Sequence, residues 1–557
     1  MTKNKKTSNF WPFGLFSSSK MEGDFSKNND NGWGDPSDPK YGLLNAHGVV
    51  LGQHKGKFIV DNRGTHTLIV APTGGGKSSG PVIMTLLNWR ESVIATDNKG
   101  ELFKMTSGKR SEWSDINVYD PLDKNAKTRI NPLLEVRLGI DSINDCAALA
   151  SALIPAPGPG VDSYWTNKAR EWTTVLLMYV LYCEKAENKH IGYVHNLVAR
   201  GNQDEDDGFH NLLIGAKFPK AENSDLQKDF DELEKYIRNV GEEISRIPDR
   251  EAGSIGSVVM KNLKIFTNPI VIKNTINPTF SVRDLIYAKR PQTLYLKSNT
   301  NELEFVSMII RAVFEMTVRV MFENEPEKIK NNSKDVQDID PTLNGWPKLK
   351  DRHNLLFLID GAPMYKKLDA LENYIPLIRA YGGRIILTCQ SLGQLENIYG
   401  ENSSIFPNCG IKMFSSLIEI KEAKNISEMI EIGFASYWNK PYNKKSNELL
   451  PTGSSQNSGQ KFDRRSGIVD RRKSNLLNID KVTKINNDKD MNTAILLIES
   501  LPPFKIEKTS YRDHKLFDEA ANLEYKISND SPSEIKTIWD NVYSSEEEDG
   551  VGNANKG

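Results

Sequence analysis

The chain has 557 residues, enough for about three domains of ordinary size or for one large α/β core carrying an insertion. Hydrophobic residues make up 38% and charged residues 26%, which excludes a disordered or fibrous chain. Lys+Arg number 72 against 73 Asp+Glu, so the net charge of −1 excludes a uniformly basic coat for nucleic acid while leaving room for local basic patches.

In chain order, residues 1–45 are rich in Ser, Asn, Asp, Gly and Lys without periodicity and read as a flexible arm. The runs GVVLGQHKGKFIV (48–60) and HTLIV (66–70) read as strands, and the second leads into the glycine cluster APTGGGKSSG (71–80). A helix carrying Ile83, Leu86 and Leu87 follows, expected to start near Lys77, and SVIATD (92–97) is a second buried strand, so strand, helix and strand predict a parallel α/β sheet. Between 141 and 283 the spacing turns helical, in DCAALASALI, WTNKAREWTTVLLMYVLYCEK, a long polar stretch to about Gly241 and SIGSVVMKNLKIF, which predicts an all-α insertion. The α/β pattern returns with TLYLK (293–297), a helix from Glu304 to Phe322, and the buried strands NLLFLID (354–360) and RIILTC (384–389). Between those two strands a helix shows Leu368, Leu371, Ile375 and Ile378 on one face. Residues 526–557 form an acidic tail.

Cys146, Cys183, Cys389 and Cys409 lie far apart and form no CxxC pair, so they suggest neither a zinc site nor a disulfide framework. The longest apolar runs, 174–183 and 10–16, fall short of the roughly 17–20 residues a membrane helix needs, and MTKNKK introduces no cleavable signal. A peripheral or cytoplasmic protein is therefore expected.

The strongest chemical signal is APTGGGKS (71–78), a phosphate loop in which Ala71 takes the place of a common first glycine. Gly74, Gly75 and Gly76 let backbone N–H groups turn around phosphates, with Thr73 and Ser79 flanking them. Lys77 is expected to reach the β and γ phosphates of ATP, and the Ser78 hydroxyl to ligate Mg²⁺. Asp360 ends a hydrophobic strand, as expected of the carboxylate that positions Mg²⁺ in phosphate-loop ATPases. Gly361 then follows where many such motors carry a glutamate, and it has no side chain to orient water. Gln390, directly after RIILTC, is placed either to sense the γ-phosphate or as a plain loop residue. Arg379 is either an arginine finger reaching a neighbouring subunit or a cation complementing a helix C-terminus. Lys444, Lys445, Arg464, Arg465, Arg471, Arg472 and Lys473 form a basic patch that reads as a solvated loop or as a surface for DNA phosphates.

The blocks HGVVLGQHKGKFIV, APTGGGKSSGPVIMTLLNW, SVIATDNKGELF, LLFLIDGAPMYKKLDAL and LIRAYGGRIILTCQSLGQLENIYG resemble, in order and spacing over about residues 30–510, the type IV secretion coupling proteins of the TraG/TraD type. The resemblance implies a RecA-like ring ATPase, with the nucleotide-binding domain at 46–140 and 284–525 and the all-α domain inserted at 141–283. It implies ATP and Mg²⁺ at Thr73 to Ser79 and Asp360, γ-phosphate sensing by Gln390 and a trans finger at Arg379. Asp97, Lys99 and Glu101 match the family's acidic-Lys-Gly-Glu segment. The implied partners are single- or double-stranded DNA without sequence preference, relaxase or effector substrates, secretion channel proteins and five further copies in a homo-hexameric ring at the cytoplasmic face of the inner membrane. The family's catalytic glutamate falls on Gly361, and its paired N-terminal membrane helices find no match here. Two readings follow: an ATP-dependent DNA translocase, or a nucleotide-binding substrate adaptor with weak or no hydrolysis. A chromosome-segregation or virus-packaging motor of the same superfamily is a third, for which the DNKGE and QSLGQL blocks would be coincidental.

Overall fold

The structure, a computed structural model, describes residues 33–157, 163–200, 208–299, 301–324, 351–415, 423–430 and 492–525. The expected arm up to residue 32, the basic patch from Lys444 to Lys473 and the tail 526–557 lie outside them. The described residues form two compact units: one holds those up to Trp89 and those from Gly410 to His514, the other those from Arg90 to Cys409 and from Lys515 onward.

The first unit is built on strands β1 (Val49–His54), β2 (Lys57–Asp61), β3 (Thr67–Val70), β9 (Ile411–Ser415), β10 (Thr493–Ile498) and β11 (Phe504–Glu507), in the spatial order β2-β1-β11-β10-β9-β3. Only β3 and β9 pair in parallel, with Val70 opposite Phe414; the other pairs are antiparallel. Beside the parallel central sheet expected from sequence, this unit thus holds antiparallel pairs among β1, β2, β9, β10 and β11, which no local pattern reveals. Helix α1 (Ile83–Asn88) starts later than Lys77: a π-type turn over Ser78–Val82 precedes it. There Val82 N–H reaches back to the Lys77 carbonyl at 3.2 Å, and Pro81 has no N–H with which to begin a regular ladder.

The second unit carries the parallel sheet in full. Strands β4 (Ser92–Asp97), β5 (Asp115–Tyr119), β6 (Gln292–Lys297), β7 (Leu355–Ile359) and β8 (Gly383–Cys389) run in the order β8-β7-β4-β6-β5, every pair parallel. Strands β4, β7 and β8 are buried along their whole length, which explains their unbroken apolar runs. Helix α2 (Glu101–Arg110) follows β4. Between Asp141 and Ile276 the described residues form only helices: α3 (Asp141–Leu153), α4 (Tyr164–Cys183), α5 (Ile191–Arg200), α6 (Phe209–Ile214), α7 (Ser224–Ser245), α8 (Asp249–Leu263) and α9 (Pro269–Ile276), with short 3-10 turns. The polar stretch expected to end near Gly241 continues to Ser245, since Phe230, Leu233, Ile237, Gly241 and Ile244 keep one buried stripe at helical spacing.

Helix α10 (Asp284–Tyr287) leads back to β6, and α11 (Leu303–Phe322) packs on α3, where Arg311 Nε donates to the Ala152 carbonyl at 2.8 Å. Helix α12 (Asp369–Ile378) buries Leu371, Ile375 and Ile378 as expected. It stops five residues before Gly383, in a 3-10 turn over Arg379–Tyr381 closed by Gly382 at φ 81°. Helix α13 (Leu392–Tyr399) follows β8.

The segment after the helix Lys515–Ala521 lies directly on α2: a Cβ built at Gly108 would stand 1.9 Å from the Leu523 carbonyl oxygen. Helix propensity alone favours alanine over glycine by about 1 kcal/mol, whereas forcing a methyl against backbone costs about 1–3 kcal/mol. Gly108→Ala is therefore expected to lower stability in denaturant melts; a raised midpoint would show that Leu523 does not sit there.

Candidate nucleotide site

In the first unit the chain leaves β3 at Val70 and turns through Ala71 to Lys77. Gly74 and Gly76 take φ of 79° and 84°, a region that costs other residues about 1–2 kcal/mol, so the loop needs glycine at both places. Gly75 N–H closes the turn on the Pro72 carbonyl at 2.9 Å. Ser415, at the end of the neighbouring β9, donates its hydroxyl to the Gly75 carbonyl at 3.2 Å and pins the crown of the loop. Lys77 Nζ lies against the Ala71 and Pro72 carbonyls, at 3.1 and 3.4 Å. Among the described residues no carboxylate pairs with it, so its full charge rests on two neutral dipoles. Thr73 and Gly74 are exposed, and Gly76, Lys77, Ser78 and Ser79 are half-buried. A cation held only by carbonyls, beside exposed loop backbone, fits a polyphosphate: its oxygens are stronger acceptors for an ammonium than a carbonyl is.

In the second unit β7 ends at Ile359 and Asp360 follows, half-buried. The Thr96 hydroxyl on β4 accepts the Asp360 N–H at 2.9 Å and donates to its carbonyl at 3.3 Å. The Thr388 hydroxyl on β8 donates to Asp360 Oδ1 at 2.6 Å and accepts the Gly361 N–H at 2.8 Å. Gly361 turns the chain at φ 73°, so what this position supplies to the structure is the turn. Tyr365 is buried just beyond, and its hydroxyl donates to Asn98 Oδ1, which also accepts from Ser298 at 3.1 Å. An oxygen-rich, half-exposed carboxylate of this kind suits a hard cation such as Mg²⁺.

Gln390 follows β8 directly and is exposed, with Ser391 capping α13 through the Gln394 N–H at 3.4 Å. Asp360 and Gln390 thus share the carboxyl edge of one parallel sheet. Arg379 does not join them. It is exposed in the turn before Gly383, at the amino edge of β8, and seven residues of strand span roughly 20 Å at ~3.3 Å per residue.

Asp97 proves to be a cap. It is buried at the end of β4, accepts the Phe103 N–H at 2.8 Å and so anchors the first turn of α2, while burial pushes its carboxyl pKa up. Lys99 and Glu101 are exposed beside it. The two acids of α12, Glu372 and Asp369, are both paired with Lys367, at 2.8 and 3.7 Å. Sequence reasoning missed Thr96, Thr388 and Ser415. Their signal was a hydroxyl residue in the last positions of an otherwise apolar buried strand, ATD, LTC and MFS.

The family model described as "Type IV secretory system Conjugative DNA transfer" matches residues 24–534. Among curated proteins, the chain is 26% identical over 397 residues to the conjugal transfer protein TraG of Escherichia coli, covering 69% of this chain and 58% of that protein. It is 28% identical over 468 residues to protein VirD4 of Agrobacterium fabrum, covering 83% and 61%. The chain therefore spans 58–61% of the length of these relatives. Among solved structures, the plasmid coupling protein TrwB in complex with ADP and Mg²⁺ superposes with a TM-score of 0.55 at 13% identity, covering 84% of this chain and 89% of that one. That likeness shows a common α/β fold of the RecA-like kind.

The left-handed turn after Asp360 carries its own test. Gly361→Ala is expected to destabilise the protein by about 1–2 kcal/mol, the cost of a β-carbon at positive φ. Its nearest new contact, Met364 Sδ at 2.9 Å, belongs to an exposed, flexible side chain and adds little. An unchanged denaturation midpoint would contradict the turn geometry.

Proposed function

Because the chain belongs to the type IV secretory system conjugative DNA transfer family, whose model matches most of its length, we propose that it is a coupling protein that binds ATP and Mg²⁺ and uses them to pass DNA or protein substrates to a secretion channel. The observation that carries this is the Lys77 ammonium resting on two neutral carbonyls at the mouth of a loop with left-handed turns at Gly74 and Gly76. In this reading the loop from Thr73 to Ser79 holds the phosphates through its N–H groups other than that of Gly75, which closes the turn, and through the Lys77 ammonium. Ser78 and Asp360 hold Mg²⁺, which neutralises charge on the β and γ oxygens when bound. Gln390, on the same sheet edge as Asp360, senses the γ-phosphate.

Arg379 is the finger that serves a neighbouring copy. Its exposure at the opposite sheet edge from Asp360 and Gln390 supports action in trans over action within the chain. That requirement calls for a neighbouring copy, and the resemblance to coupling proteins supports a homo-hexameric ring. The helices from Asp141 to Ile276 are the surface we assign to relaxase or effector substrates, and DNA contacts are expected to be sequence-independent and salt-sensitive. We place the chain at the cytoplasmic face of the inner membrane by resemblance; no helix among the described residues is long and apolar enough to cross a membrane.

One observation favours a second reading, a nucleotide-binding adaptor with little turnover. Gly361 supplies a turn where general-base help of typically ~10²–10⁴-fold would come from a carboxylate, and Glu372 is engaged by Lys367. Steady-state phosphate release by the full chain, with and without DNA, separates the two. The motor reading expects turnover that rises with added DNA; a flat, near-background rate alongside intact ATP binding would establish the adaptor.

A further inference from the structure

We propose that Thr388 is a positioning residue: its hydroxyl sets the orientation of the Asp360 carboxylate for a divalent cation. This rests on the reading of Asp360 as the metal carboxylate. Thr388 is fully buried in β8, between Leu387 and Cys389, where a hydroxyl is costly unless bonded. It is bonded twice, and to two different residues of the same turn. Its single proton goes to Asp360 Oδ1 at 2.6 Å, while its oxygen accepts the Gly361 N–H at 2.8 Å. The N–H feeding into the oxygen polarises the hydroxyl toward the carboxylate, so the two bonds reinforce each other.

Thr96 fixes the same residue from the other side, but through its backbone alone. Together the two hydroxyls fix both the main chain and the side chain of residue 360. A threonine placed only to satisfy the strand end would need the backbone bond. The bond to Oδ1 is the surplus, and it acts on the torsion that decides where the carboxylate faces. Groups that orient a ligating carboxylate typically change metal affinity by ~10–100-fold when removed.

The test uses the full chain and reads nucleotide affinity by calorimetry across a Mg²⁺ series and in EDTA, with melting temperature as the fold control. Thr388→Val keeps the shape and removes the hydroxyl. It is expected to raise the Mg²⁺ concentration needed for half-maximal strengthening of ATP binding by about 10-fold or more, with metal-free ATP affinity unchanged. Thr388→Ser is expected to follow the parent. Thr388→Cys, whose thiol is a weak donor, is expected to lie between and carries the comparison alone if the valine variant does not fold. Asp360→Asn serves as the reference. If it shifts the Mg²⁺ curve while Thr388→Val and Thr388→Cys follow the parent, the positioning role is overturned and the metal reading stands. The role is also overturned if Thr388→Ser is as impaired as Thr388→Val at an unchanged melting temperature. If Asp360→Asn itself follows the parent curve, the metal reading fails and the proposal falls with it.

Discussion

Where a parallel strand ends, its last backbone groups lose their ladder partners just as the chain must turn sharply, and the molecule meets this constraint in the same way in both compact units. After β3 the turn is made by Gly74 and Gly76 at positive φ, and Ser415 from the adjacent strand takes the Gly75 carbonyl. After β7 the turn is made by Gly361 at positive φ, and Thr388 and Thr96 from the two adjacent strands take the backbone of residues 360 and 361. Glycine gives the curvature and a neighbouring hydroxyl gives the missing partner. This leaves Lys77 resting on backbone carbonyls and Asp360 Oδ1 accepting from the Thr388 hydroxyl. For Lys77 such an arrangement favours a phosphate, since an ion pair with a carboxylate would have to be broken before the anion could bind.

The same economy accounts for Gly361. A glutamate at this position would have to stand on a left-handed backbone at φ 73°, at a cost of about 1–2 kcal/mol. The motor and adaptor readings therefore differ on whether another carboxylate supplies general-base help.

Much of this was legible in the sequence, and the reason is periodicity. The strands β4, β7 and β8 are continuous apolar runs because both faces are covered, and α7, α11 and α12 keep helical stripes, so their positions follow from spacing. The places of Lys77, Asp360 and Gln390 beyond strand ends were legible because a glycine-rich loop and two buried apolar runs announce where those strands stop. The antiparallel strands β9, β10 and β11 were not, since their pairing is long-range and β10 lies far from β9 in sequence. The hydroxyl partners were not either: nothing local says that Thr388 faces residue 360 across a sheet. The capping role of Asp97 likewise depends on α2 starting immediately beyond it, with its amides turned back toward the strand end.

The central claim is that the loop from Thr73 to Ser79 holds the phosphates of ATP through a cation kept ready on neutral acceptors. Calorimetric titration of ATP onto the full chain and onto Lys77→Ala tests it most directly, with thermal melting to confirm that both are folded. The account predicts saturable binding by the parent and at least a tenfold loss in the variant, about 1.4 kcal/mol, at an unchanged melting temperature. Equal affinity in the two proteins would contradict it.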